Sequence, residues 1–220
     1  MLDPAERARA AGIKDPTTRR DFVAGRIALR AFAAELLGVP PGELTAEYSC
    51  PDCGTGPELD HGRPGYRLRG DIASQGAGRS LSPGISGLPS SGLTLSLSRS
   101  RGWALLAAGN RGVGQAVGVD LEHVSGVGFP GFDDVVLSTV ERKLLSALPL
   151  DLDLVDLWRT AVWARKEALL KARGPGLRVD PCSVEAFSAP GEGDVIIELD
   201  TVTLGLPKGF AAALAFERNA

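Results

Sequence analysis

Two histidines, three cysteines and no excess of basic charge remove several classes of protein at once. A Ser-His-Asp hydrolase normally takes histidine as its base, so a chain with two of them is poorly supplied for that chemistry. The odd set Cys50, Cys53 and Cys182 makes a poor disulfide framework. A formal net charge of −3 argues against a general nucleic-acid binder, which is normally basic. No apolar run approaches the roughly 18 residues that span a bilayer, so no membrane partner is expected. Residues 1–20 lack the apolar stretch of a secretory signal, and a cytoplasmic location is the expectation.

What remains is ordinary for a globular protein: 44% apolar and 23% charged residues in 220 positions, enough for one large domain or two small ones. The C-P-D-C run at 50–53 could be half of a zinc site. Such a site needs four ligands, however, and only His61 and His123 stand beside the cysteines, so reduced thiols in a loop are the favoured reading. With imidazole scarce, attention moves to carboxylates.

Residues 17–37 place Phe22, Leu29, Phe32, Ala33 and Leu36 at helical spacing, with a threonine as N-cap and Gly38 and Pro40 as the stop. Between 74 and 92, 13 of 19 residues are Ser, Gly or Pro, which predicts a long mobile loop within 54–92. The runs 93–98, 103–109 and 115–122 read as strands, the first and third with alternating apolar residues. Helices are expected over 139–148 and 154–173, and a hairpin joins 194–206 to 209–217 through Pro207, Lys208 and Gly209. Each half reads as a helix with a few antiparallel strands. The expected fold is therefore α+β, as two α+β lobes spanning 1–112 and 113–220.

In the run 118–124, GVDLEHV, strand alternation puts Asp120 and Glu122 on one face with Cα atoms about 6.6 Å apart. Both carboxylates can then reach one metal ion, and an all-oxygen set suits Mg2+. A solvated edge-strand face explains the same spacing. On the second helix Trp163, Glu167 and Lys171 fall at i, i+4 and i+8, with Lys166 and Leu170 on the next row. Glu167 and Lys171 read either as an ordinary ion pair or as a third acidic ligand with a lysine for phosphate oxygens.

The two runs together, GVDLE and WARKEALLKARGPGL about 40 residues later, resemble the paired signature of the 4′-phosphopantetheinyl transferases, and of the Sfp-type enzymes in particular. The signature is met at Gly118, Asp120, Glu122, Trp163, Lys166, Glu167, Lys171, Gly174, Gly176 and Leu177. The run RRDFVAGRIALRAFAAELLG is similar to that family's first helix, CPDCG and HGRP to a paired element of many actinobacterial members, and LSLSRS to a strand that ends there in Ser-His-Ser or Ser-His-Thr. Arg99 stands where the family has histidine, and an inserted TGPELD separates CPDCG from HGRP.

The resemblance implies a pseudo-dimeric fold of two similar lobes with the active site in a cleft between them, and a monomeric enzyme. It implies transfer of 4′-phosphopantetheine from coenzyme A to a serine of an apo acyl or peptidyl carrier protein of a nonribosomal peptide, polyketide or fatty-acid synthase, with release of 3′,5′-ADP. Asp120, Glu122 and Glu167 would hold Mg2+ (or Mn2+), with Glu167 as first choice of base and Glu141 or metal-bound water as the others. Lys166 and Lys171 would steady phosphates; Arg19, Arg20, Arg26, Arg63, Ser98 and Arg99 would contact coenzyme A. A relict of the same fold that binds coenzyme A or a carrier protein without transfer is the alternative, since Arg99 and the loop depart from the family.

Overall fold

A computed structural model describes residues 2–50, 52–59, 61–69, 93–110, 115–149, 151–187 and 194–218. The expected loop at 74–92, and most of the wider 54–92 stretch, lies outside the described residues. Among the described residues no helix is long and apolar enough to cross a membrane. The chain divides into two compact units, one of Met1–Ser96 with Ala108–Gln115, the other of Leu97–Ala107 with Ala116–Ala220.

In the first unit, helix α1 (Pro4–Gly12) precedes helix α2 (Pro16–Leu37). The N-cap of α2 is Asp15 rather than a threonine: its carboxylate accepts the Thr18 amide at 2.6 Å, and Pro16 supplies a pre-set first helical residue. Gly38 ends the helix at φ 66°, as its position suggested. Short strands follow as two antiparallel pairs, β1 (Leu44–Ala46) with β4 (Tyr66–Leu68), and β2 (Tyr48–Cys50) with β3 (Gly54–Gly56).

This unit is tied by a buried charge cluster that helical spacing gave no reason to expect. Arg30, 3% exposed, donates to Asp3 at 2.5 Å, to Glu6 at 3.1 Å and to the Leu44 carbonyl at 2.5 Å. The Tyr48 hydroxyl donates to Glu6, and the Ala46 amide to Asp3. With its charge matched and both terminal nitrogens bonded, though Nε is left without a partner, the guanidinium recovers part of the desolvation cost of burial.

Strands β5 (Leu93–Ser100) and β6 (Trp103–Asn110) form a hairpin whose two-residue turn, Arg101 at φ 52° and Gly102 at φ 81°, matches the right-handed twist of the strands it joins. The second unit continues with β7 (Gln115–His123), α3 (Phe132–Val136), α4 (Thr139–Ala147) and α5 (Leu152–Arg173), then β8 (Asp194–Leu199) and β9 (Phe210–Arg218). Its sheet has the order β7-β9-β8. The expected terminal hairpin is present, but β8 ends at Leu199, paired with Ala212, and residues 200–209 form a longer connection than Pro-Lys-Gly alone.

Helix α5 lies on this sheet through Ala164, Ala168, Leu169, Leu170 and Ala172, against Val184, Ala213 and Ala215. The small side chains on both surfaces bring helix and sheet close. Gly174 caps α5 at φ 100°, in the left-handed conformation that glycine adopts without strain.

Candidate active site

Helix α5 and strand β7 approach backbone to backbone at Gly118. A Cβ there would lie 1.9 Å from the Ala168 carbonyl oxygen and 2.4 Å from the Ala172 nitrogen, both backbone atoms. Only glycine lets strand and helix meet at this depth. Two residues on, the same face of β7 carries Asp120, which the contact delivers to the row of α5 that holds Glu167 and Lys171.

Asp120 is 1% exposed, so the solvated-face reading does not hold for it. Its Oδ1 accepts the Ser98 hydroxyl at 2.7 Å and the Lys171 ammonium at 2.5 Å. Its Oδ2 is buried without a hydrogen-bond partner. A buried carboxylate oxygen left alone costs about 1–3 kcal/mol or more, so this atom is poised for a ligand. Glu167, also buried, sits with Oε2 3.8 Å from the same Lys171 ammonium.

Burial pushes the Glu122 carboxyl up to about 7, the Asp120 and Glu167 charges push the same way, and Lys171 with a hydrogen bond from Trp163 opposes them. Burial likewise raises Glu167, against the pull of Lys171. Three carboxylates thus share one ammonium, and two of them resist ionising. That excess of negative charge in a dry setting is what a divalent cation relieves, and the all-oxygen donor set suits a hard one. The orphaned Asp120 Oδ2 is the atom that fits such an ion. Lys171 stands between Asp120 and Glu167 and takes a cation's place there. In keeping with this, the one group of three potential ligand atoms within 4.8 Å of one another among the described residues is a different one, Cys50, Cys53 and His61.

Two sequence expectations are corrected here. Lys166 does not point at this site: its ammonium is 0% exposed, donates to the Val136 and Pro181 carbonyls at 2.6 and 2.9 Å, and pairs with Glu141 at 2.6 Å. One residue along a helix turns a side chain by about 100°, which separates Lys166 from Glu167 despite their adjacency. Glu141 is neither a solvated helix residue nor a candidate base. Fully buried, it closes the capping box of α4 with Ser138 and accepts the Ala186 amide at 3.0 Å. Lys166→Ala would leave that carboxylate buried without its cation, at about 3–5 kcal/mol. The expected drop in melting temperature is roughly 10 °C. An unchanged melt by circular dichroism would show the pair to be dispensable.

Ser98, expected at coenzyme A, spends its hydroxyl on Asp120 and orients that carboxylate. Arg99, next to it, is exposed. The remaining candidates belong to the first unit. Arg19 donates through two nitrogens to the Ile13 carbonyl, and Arg20 pairs with Asp21 at 3.5 Å. Arg26 lies over the Phe22 and Tyr48 rings at 5.2 and 4.9 Å with its Nε unpartnered, and Arg63 is half-buried beside β2. Sequence reasoning did not find the Ser98–Asp120 bond or the indole donor to Glu122; the period-2 run through Ser98 and the position of Trp163 one turn before Glu167 were the available signals.

Comparison with known proteins bears on the same segment. Over 181 residues, 80% of this chain, the sequence is 30% identical to the 4′-phosphopantetheinyl transferase HetI of Nostoc sp. (strain PCC 7120). The aligned part spans 61% of that relative's length. Residues 116–206, which carry Asp120, Glu122, Glu167 and Lys171, match the family model of the 4′-phosphopantetheinyl transferase superfamily.

Proposed function

We propose that this chain is a 4′-phosphopantetheinyl transferase of the Sfp type, which moves the phosphopantetheine group of coenzyme A onto a serine of an apo acyl or peptidyl carrier protein. The observation that carries this reading is Asp120 Oδ2, buried and unpartnered beside two carboxylates with raised pKa values. The similarity of residues 116–206 to that superfamily supplies the reaction class.

With Asp120, Glu122 and Glu167 as its ligands, Mg2+ would neutralise the pyrophosphate of coenzyme A and the charge that develops on it. The chain's own groups do the rest. Ser98 and Lys171 fix the Asp120 rotamer through Oδ1, which leaves Oδ2 directed away from them. The Lys171 ammonium is a second positive charge for phosphate oxygens once a cation takes over the carboxylates. Glu167, beside Asp120 and Lys171, is the first choice to accept the serine proton. The serine oxygen bonds to the β-phosphorus while the bond from that phosphorus to the bridging oxygen breaks. Phosphopantetheine stays on the serine and 3′,5′-ADP departs with the electron pair.

The test is intact-mass spectrometry of apo carrier proteins, peptidyl and acyl, incubated with the chain, coenzyme A and Mg2+. A gain of roughly 340 Da, the phosphopantetheine formula, is expected, and its dependence on Mg2+ checks the cation. No gain on any carrier while coenzyme A still binds would replace the transferase with a binding protein of the same fold.

A further inference from the structure

We propose that Cys50, Cys53 and His61 form a zinc site in the first unit. Their ligand atoms, two thiol sulfurs and one imidazole nitrogen, all lie within 4.8 Å of one another. Zinc bonds of about 2.3 Å to sulfur at the tetrahedral angle place two sulfurs about 3.8 Å apart, so the three atoms need contract by no more than about 1 Å. Two thiolates and an imidazole are soft and borderline donors that select Zn2+ over Mg2+. None of the cysteines is in a disulfide.

The backbone around the three residues is built to hold them together. Cys50 ends β2, where it pairs with Gly54 at φ 82°, and Cys53 directly precedes β3. His61, one of the two histidines weighed as a ligand from sequence, follows Cys53 by eight residues. The chain folds it back by a backbone ladder: the Ser49 amide donates to the Arg63 carbonyl at 3.0 Å, the Arg63 amide to the Ser49 carbonyl at 2.8 Å, and the Glu47 amide to the Gly65 carbonyl at 2.9 Å. Two glycines permit that approach. A Cβ on Gly62 would sit 2.3 Å from the Ser49 carbonyl oxygen, and one on Gly65 would sit 2.6 Å from that of Glu47. The segment therefore lies backbone to backbone along the strand that ends in Cys50, and His61 reaches the two sulfurs as a consequence.

Cys50 is buried while Cys53 is exposed and His61 half-buried, so the ion has a way in from solvent. Zinc displaces the two thiol protons, which pass to buffer, and the fourth tetrahedral position falls to water or an outside donor. The ion ties Cys50 and Cys53 to His61 in an open, three-ligand site apart from the carboxylate chemistry.

The test uses the full chain, expressed with zinc and purified under reducing conditions. Elemental analysis should find about one zinc per chain, falling at least about tenfold in Cys53→Ser and His61→Ala. Asp120→Asn should retain it, so failure of the transferase reading and failure of this one are separable. Cobalt exchanged into the wild-type protein should show thiolate charge-transfer and tetrahedral ligand-field absorption, a readout that needs no variant to fold. Zinc far below one per chain with no cobalt–thiolate absorption overturns the site. So does, in a second preparation made without reductant, a chain two hydrogens lighter whose Cys50 and Cys53 resist alkylation until reduced, which is a disulfide.

Discussion

Asp120→Asn is expected to lower phosphopantetheine transfer by on the order of 10³-fold while the melting temperature stays within a few degrees of wild type. Asparagine keeps the shape of the side chain and one carbonyl oxygen, which can still accept from Ser98 where Oδ1 does now. It removes the negative charge and puts an amide donor where the unpartnered Oδ2 stands. A cation loses a ligand there, and Glu122 and Glu167 lose a like-charged neighbour. Lys171 also loses its closest carboxylate but keeps Glu167 at 3.8 Å, so no charge is stranded. Intact-mass rates on one carrier protein, set beside thermal melts, check both halves. Activity within tenfold of wild type would remove Asp120 from the chemistry and the cation site with it.

Gly118→Ala is expected to cost about 4 kcal/mol or more, among the largest single-methyl effects a fold can show. The added Cβ would meet the Ala168 oxygen at 1.9 Å, and ordinary contact begins near 3.4 Å, so α5 and β7 would have to part by about 1.5 Å. Backbone on both sides leaves no side chain to swing away. Separation also opens the layer between Ala168, Ala172 and the sheet. Where the variant still folds, a shift of that size moves Glu167 and Lys171 off Asp120, and a misplacement of about 1 Å can cost on the order of 10²-fold in rate. Denaturant unfolding measures the first effect and the mass assay the second. A variant that melts and transfers like wild type would mean that α5 and β7 do not approach as closely as described.

Local period made much of this legible from sequence. Helix α5 follows from apolar residues at helical spacing over 154–173, although it begins earlier, at Leu152, and β5, β6 and β7 follow from their apolar runs. The pairing of Asp120 with Glu122 on one strand face, and of Glu167 with Lys171 on one helix row, is likewise a matter of two and four residues. These are properties of a chain segment by itself, and such segments keep them wherever they are packed.

Charge that is buried rather than solvated could not be told apart the same way. Lys166 and Glu141 look like the wet sides of two helices, yet each is sealed by the other, 25 positions away in the chain and 2.6 Å apart in the fold. Arg30 with Asp3 and Glu6 repeats the pattern. Sequence determined the long elements, the glycine stop of α2 and which residue types share a face, because those depend on bonds and contacts within a few residues. The tertiary structure alone decided which charges are paired in the dry interior, which carboxylate oxygen is left without a partner, and which histidine meets which thiols. Those outcomes depend on close approach between distant segments, and that approach rests on backbone contacts such as the one at Gly118.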